Sequence, residues 1–442
     1  MSEKWMKSQL DQRLALQGGR KVRDRAWPAW PSYDADTERA LNSVLRSGRW
    51  TISGPHMGEM SRERTFARQF AEYCDSRYCT PVTSGTASLT IALLALGVGG
   101  GDEVLIPGLT WVACASATMA AGAVPVMVDI DPQTLAMSVE AARQAITERT
   151  AAVLLVHPYC RVADLEGFLA LSKAFNIPLV EDCSQAHGAR WRGHRVGSLG
   201  AIGCFSMQQS KVLTSGEGGA VVTNDRALYE RMEQLRADGR MFAPNPQRGS
   251  LELVEVGRVQ GHNFCLGEFQ SALLLDRLVH LDEQNAQRRQ FADALRQKLH
   301  ATNLAWLPVQ DAETEPTYYN LVLELNMDQF GSNSVDAVTR AMTAELGVQV
   351  SPVYRPMNQH PLYCPLLSSR YHGDAVRAAA LDPTRFDLPN AQAVRERFIT
   401  LPNWVLLAGE QGVEDIATAL RKVAACREAL EDHEQGVSTQ AF

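Results

Sequence analysis

No stretch of this 442-residue chain approaches about 18 consecutive apolar residues, so nothing in it reads as a membrane span. Its beginning, "MSEKWMKSQLDQRLALQGGRKVRD", lacks the apolar centre of an export leader. Positive charge is short as well. Forty-three Lys and Arg against 50 Asp and Glu leave a formal net charge of -7, which excludes the basic field of a general nucleic-acid binder. Nine cysteines are scattered without the paired spacings of a disulfide scaffold or a zinc ribbon, so reduced thiols in a cytoplasmic protein are expected. His157, Cys160, Cys183 and His187 lack metal-ligand spacing, and no metal is expected. Internal repeats and low-complexity tracts are absent. What remains is an ordinary globular composition, 45% hydrophobic and 21% charged, on a chain long enough for a sizeable core.

Residues 1–55 read as an N-terminal arm, with a Pro- and Trp-rich "AWPAWPSYD" before a short helix closed by Gly48. Residues 56–290 read as a large unit. Phe66, Phe70 and Tyr73 recur at helical spacing in "RERTFARQFAEYC". "SGTASLTIALLALG" opens a helix at Ser84 or Thr86 and closes it at Gly97. Short runs follow at "DEVLIPG", "AVPVMVDI" (123–130), "AAVLLVHPY" (151–159) and "IPLVEDC" (177–183), with a helical "ADLEGFLALSKAF" between the last two. These runs are apolar throughout rather than alternating, which suits strands buried on both faces of a parallel sheet. Two more strands are expected near 201–207 and 219–223. The glycines of "GVGGGDEV" precede a strand and read as a turn, not a dinucleotide loop. "RWRGHR" (190–195) reads as a solvated hairpin turn. Residues 266–299 read as one long amphipathic helical stretch. Residues 291–442 read as a small α+β unit, with "TYYNLVLELN" an edge-type strand, "SVDAVTRAMTAELG" a helix and "VQVSPVY" a strand. The fold class is α/β, with a mostly parallel central sheet and a smaller C-terminal α+β domain.

Three stretches carry chemistry. "TSGTAS" (83–88) joins a loop to a helix N-terminus, where small residues leave backbone N–H groups free for a phosphate. Alone, it also fits a plain helix cap. "LVEDCSQAHG" (179–188) puts Asp182 at the carboxyl end of a buried strand, where open α/β sheets place ligands. Alone, Asp182 also fits a cap or a core hydrogen bond. In "CFSMQQSKVLTSGEGGAVV" (204–222) Lys211 stands in a tight loop of small residues, where a desolvated lysine can bind a carbonyl as an imine. Alone, it also fits a solvated loop lysine. Together, and in that order, the three make the protein's half of a pyridoxal phosphate (PLP) site. Trp111 in "GLTWVACAS" would stack on the pyridine ring, if it is not packed in the core.

The motifs "SGTAS", "EDCSQAHGA" and "FSMQQSKVLTSGEGGAVV" resemble those of the fold-type I, DegT-type aminotransferases, from Ala26 into the small unit. The resemblance implies a PLP enzyme with Lys211 as the imine-forming lysine and Asp182 against the pyridine nitrogen. It puts Gln185 by the ring hydroxyl, Trp111 on the ring, and Ser206, Gly85 and Thr86 at the phosphate. It also implies a homodimer with shared active sites, in which Asn263 of "GHNFCLGEFQSALL" completes the phosphate site of a partner. Cys265 stands where many members carry arginine. "LQGGRKVRDRAWPAWPSYD", "GRWTISGP", "LRADGR" and "SPVYRPMNQHPLY" are similar to the cyclitol aminotransferases of aminoglycoside biosynthesis. That subgroup implies amino transfer from L-glutamine to a keto-inositol such as scyllo-inosose or 2-deoxy-scyllo-inosose. Pro158 in "HPYCRVADL" departs from the leucine-tyrosine form of the subgroup. Aminohydroxybenzoate synthases share the fold and a similar "PAWP" entry, and nucleotide-keto-sugar aminotransferases share the motifs. A non-catalytic PLP-binding regulator would add a DNA-binding module, which the first 55 residues do not resemble. Related sugar 3-dehydratases replace the lysine by histidine, so Lys211 argues against them.

Overall fold

The short apolar runs become the strands of one seven-stranded sheet in the computed structural model, which describes residues 13–308, 312–331, 333–369 and 374–430. They are β1 (Tyr78–Val82), β2 (Glu103–Pro107), β3 (Val124–Val128), β4 (Thr150–Val156), β5 (Leu179–Asp182), β6 (Ile202–Ser206) and β7 (Gly219–Thr223). Their spatial order is β1-β7-β6-β5-β4-β2-β3. All run parallel except β7, which pairs antiparallel with both β1 and β6. Successive side chains point to opposite faces, and both faces are covered. Val104, Ile106 and Leu154 join the core on one face, and Leu105, Val153 and Leu155 the core on the other. That double burial is why these runs show no polar alternation.

Helices cover both faces of the sheet, although the crossover from β5 to β6 carries a short hairpin and no helix. α1 (Ala35–Ser47) starts at a reciprocal cap between Asp34 and Thr37 and ends at Gly48, φ 67°. α2 (Arg62–Tyr73) buries Phe66 and Phe70 completely. α3 (Gly85–Ala95) is apolar nearly all round, because it packs on β6 and β7 as well as on α4 (Ala113–Ala120). α5 (Leu165–Phe175) covers the other face with Phe168 and Leu171. The stretch at 266–299 is two helices rather than one, α6 (Glu268–Leu278) and α7 (Leu281–His300), broken at Val279 and His280. The hairpin at 190–195 forms, but it is not simply solvated. Arg195 is buried and donates to the Gly188 carbonyl at 2.6 Å and to Asp282 at 2.7 Å.

α7 runs across residue 290 toward a second, four-stranded antiparallel sheet. Its strands β8 (Ala305–Trp306), β9 (Asn320–Leu325), β10 (Ser351–Pro352) and β11 (Phe398–Pro402) lie in the order β8-β9-β11-β10. β9 is therefore an interior strand, not an edge, with Leu321, Val322 and Leu323 fully buried. The expected strand at "VQVSPVY" shrinks to two residues at the edge. α8 (Val335–Leu346), capped by Ser334 and closed by Gly347, and α9 (Gly409–Ala425) pack together beside this sheet. The described part of the arm packs there too: Arg23 pairs with Asp415 at 2.5 Å, and the Trp27 indole donates to the Leu346 carbonyl at 2.8 Å. Among the described residues no helix is long and apolar enough to cross a membrane.

Candidate active site

The carboxyl ends of β1, β2, β5 and β6 converge on one cavity of about 480 Å³, a size typical of small-ligand sites. β1 leads through Ser84 into α3. Ser84 is the cap: its hydroxyl accepts the Ala87 N–H at 3.1 Å, and Thr86 falls in the first turn instead. The first N–H groups of a helix have no acceptor within it, which leaves those of Gly85 and Thr86, both lining the cavity, available as donors. Ser206, at the end of β6, presses against that turn. A Cβ on Gly85 would stand 2.5 Å from the Ser206 Cβ and 2.9 Å from its hydroxyl. Only glycine lets the serine hydroxyl and the helix N-terminus share one spot, and together they make an anion cradle.

Asp182 ends β5 and is 5% exposed. Its Oδ1 accepts the Ser184 N–H at 3.0 Å, and its Oδ2 accepts the Cys114 thiol at 3.6 Å. Burial first, then the Asp182 charge, push the Cys114 thiol well above its ordinary value, so the sulfur stays a donor. Gln185 accepts the Tyr159 N–H at 2.6 Å through its Oε1. Tyr159 follows Pro158 in a turn with φ 56°, and its ring stacks on Tyr354 at 5.2 Å. The Pro158 loop thus sets the aromatic wall behind the cavity. His187 is fully buried, with the Ser206 backbone beside its ring. Burial, then the charge of Lys211, push it down to about 3, so the imidazole is neutral.

The ligand atoms of His157, Glu181 and Cys183 lie within 4.8 Å of one another, but the first two residues are engaged within the protein. His157 Nδ1 accepts the Ala163 N–H at 3.1 Å, which leaves Nε2 to donate to Glu181 at 3.2 Å. Glu181 also accepts the N–H groups of Gly197, Leu199 and Gly200.

Lys211 sits on the loop between β6 and β7, 9% exposed. Its Nζ lies 3.9 Å from the centre of the Tyr319 ring. The Tyr319 hydroxyl shares a hydrogen bond with Ser210 Oγ at 3.2 Å. Burial pushes the Tyr319 phenol up, but the Lys211 cation and the Ser210 hydroxyl outweigh it and hold the phenol below its ordinary value. Behind the loop, Trp30 of the arm donates to the Gln209 carbonyl at 3.0 Å, and Asn403 donates to the Ser210 carbonyl at 3.1 Å. Arg288, fully buried, holds the side-chain oxygens of Asn285 and Asn403, each at 3.1 Å. Asn285 in turn holds the His187 carbonyl at 3.0 Å. One buried cation therefore ties the aspartate loop to the lysine loop.

Gly85, Thr86, Trp111, Asp182, Gln185, Ser206 and Lys211 all line the cavity. Trp111 is 47% exposed, not core-packed, and meets His360 edge-on at 5.7 Å. Asn263 lies outside the cavity of its own chain, exposed where its backbone bridges to Ala237. Tyr319 and Tyr354 line the site without having been anticipated. The available signal was an aromatic at the mouth of each small-sheet strand, in "TYYN" and "SPVY".

A helix N-terminus beside Ser206, a buried carboxylate and a buried lysine thus meet at the carboxyl edge of this sheet. The chain belongs to the DegT/DnrJ/EryC1/StrS aminotransferase family, which matches residues 31–421. It is similar to an L-glutamine:2-deoxy-scyllo-inosose aminotransferase of Micromonospora echinospora, 49% identical over 93% of this chain and 98% of the relative. An L-glutamine:scyllo-inosose aminotransferase of Streptomyces griseus is 46% identical over 94% of this chain and 98% of its own. Among solved structures, 3-amino-5-hydroxybenzoic acid synthase superposes with a TM-score of 0.75 at 30% identity, covering 91% of this chain and 99% of the other. The expected fold class is thus the observed one.

Proposed function

We propose that this chain is a PLP-dependent aminotransferase that moves an amino group from L-glutamine to a keto-cyclitol of the 2-deoxy-scyllo-inosose or scyllo-inosose type, in aminoglycoside-type antibiotic biosynthesis. The observation that carries this reading is the meeting of Lys211, Asp182 and the Gly85–Ser206 cradle in one cavity. Near-full-length similarity to enzymes named for that transfer supports it. The residues fit the cofactor chemically. The N–H groups of Gly85 and Thr86 and the hydroxyl of Ser206 offer donors to a phosphate, and the added Cβ that would fill this cradle is missing. Asp182 offers a carboxylate to a protonated pyridine nitrogen, Gln185 a polar group to the ring hydroxyl, and Trp111 a ring face.

When bound, the cofactor supplies an electron sink and carries the amino group from donor to acceptor. The rest falls to the chain. Asp182 keeps the ring nitrogen charged. Lys211 Nζ takes the proton from the α-carbon of the amino donor and returns it, acting as base and then as acid. For the acceptor the same nitrogen moves the proton the other way. The donor leaves as its keto acid before the cyclitol enters, so ping-pong kinetics are expected. Asn263 reaches the phosphate of a second copy in a homodimer. The working place is the cytoplasm, which the nine free cysteines suit. In this reading the chain divides into the arm (1–55), the PLP-binding unit (56–290) and the small unit (291–442).

The test is spectroscopic. L-glutamine should discharge the absorption band of the PLP-loaded protein, and scyllo-inosose or its 2-deoxy analogue should restore it. Lys211→Ala should abolish both changes. A band that glutamine leaves untouched would overturn the donor assignment. Formation of an aromatic amino acid from an amino-dehydroshikimate-type acid would favour the synthase chemistry named for the solved structure at 30% identity.

A further inference from the structure

We propose that the face of the Tyr319 ring is the seat of the Lys211 ammonium whenever that lysine is free. The first observation is proximity: Lys211 Nζ stands 3.9 Å from the ring centre, within cation–π range. The second is the company it keeps. Lys211 forms no ion pair among the described residues, although it is 9% exposed. The titratable groups around it are Asp182, His187, Glu217, Tyr319 and Tyr354. Asp182 already accepts from Ser184 and Cys114, and His187 is a neutral imidazole.

The third observation is that the ring is fixed. The Tyr319 N–H donates to the Tyr159 carbonyl at 3.0 Å. Its hydroxyl shares a hydrogen bond with Ser210 Oγ, which donates to Gln208 Oε1 at 2.7 Å. Lysine and ring are thereby anchored to the same loop.

The magnitudes explain the choice of partner. A carboxylate at 4 Å, at an effective dielectric of 20, would favour the ammonium about a thousandfold and trap it. A desolvated ring face favours it by about 2-fold to about 30-fold. A lysine that must be released, hold a proton and then return as a neutral amine is served by the weaker hold. That consequence rests on the aminotransferase reading, but the contact itself does not.

The test therefore uses the full-length protein stripped of PLP, with no substrate. Acetic anhydride acetylates only the neutral amine: the nitrogen bonds to the acyl carbon, acetate leaves, and the amine proton goes to buffer. The rate at Lys211 is read by peptide mass spectrometry. Near pH 8, Tyr319→Leu should be acetylated about 2-fold to about 30-fold faster than Tyr319→Phe, which keeps the face and, like leucine, drops the phenol that also interacts with Lys211. Near pH 11, where lysines are largely neutral, these two variants should converge. Tyr319→Trp, which restores a face without the phenol, should match the phenylalanine variant. Equal rates of the leucine and phenylalanine variants near pH 8, or a difference between them that persists near pH 11, would each overturn the proposal. If the acetylation pattern holds but no amino transfer occurs, the functional reading fails and the seat remains.

Discussion

Arg288 carries a charge where none should be comfortable, and replacing it tests the account of the site's scaffold. It is fully buried, and burial alone lowers it to about 9. That fall from the ordinary arginine value corresponds to about 5 kcal/mol against the charged form at neutral pH. Against this stand two charge-assisted hydrogen bonds, to Asn285 and Asn403, worth about 3–6 kcal/mol together. The terms nearly cancel. Arg288→Met, of similar length and uncharged, should therefore change unfolding stability by no more than about 2 kcal/mol, where loss of most large buried side chains costs about 3–5. Urea unfolding of the PLP-loaded protein measures it. Amino transfer should fall by at least about tenfold, because Asn403 loses the anchor that aims it at the Ser210 carbonyl. A loss of about 4 kcal/mol or more would refute the reasoning, since it would mean the guanidinium is a net stabiliser.

Three further outcomes follow from the geometry. Gly85→Ala must push Ser206 away from a Cβ contact at 2.5 Å, at a cost of about 1–3 kcal/mol, and should weaken PLP binding by about tenfold or more in a fluorescence titration; unchanged affinity would remove Ser206 from the phosphate. His187 is lowered to about 3, so its neutral form supports the fold above the ordinary histidine value and this support is lost as pH falls toward 3; His187→Leu should unfold at a lower pH than wild type in an acid titration followed by circular dichroism. Burial raises Glu63, but Arg236 and Arg64 outweigh it and hold the group near 2; Glu63→Gln should cost about 3–5 kcal/mol in thermal melts at neutral pH, with the gap closing as pH drops from the ordinary glutamate value toward 2.

The parts of the site that were legible in the sequence share one property: each is announced within a few residues of itself. Asp182 closes an apolar strand, Ser84–Thr86 open a helix, Ser206 ends a strand, and Lys211 stands among small residues. Strand ends and helix starts are local events, and α/β topology brings them to one edge without further instruction. The misread elements depend on partners far along the chain. "TYYNLVLELN" has polar residues near both ends and reads as an edge, but β11, some seventy residues later, gives β9 its second neighbour. The stretch 266–299 keeps a helical period across Val279 and His280, and period alone does not mark a break where no Gly or Pro stands. Tyr319, Tyr354, Asn403 and Trp30 act on the Lys211 loop from more than one hundred residues away. Arg288 is the extreme case, because on α7 it looks like any surface arginine of a polar helix. Only the closing of the second sheet's flank over that helix face turns it into the buried link between the Asp182 and Lys211 loops. Local sequence thus specifies the groups that touch the ligand, and the long-range packing of the C-terminal half specifies how rigidly they are held.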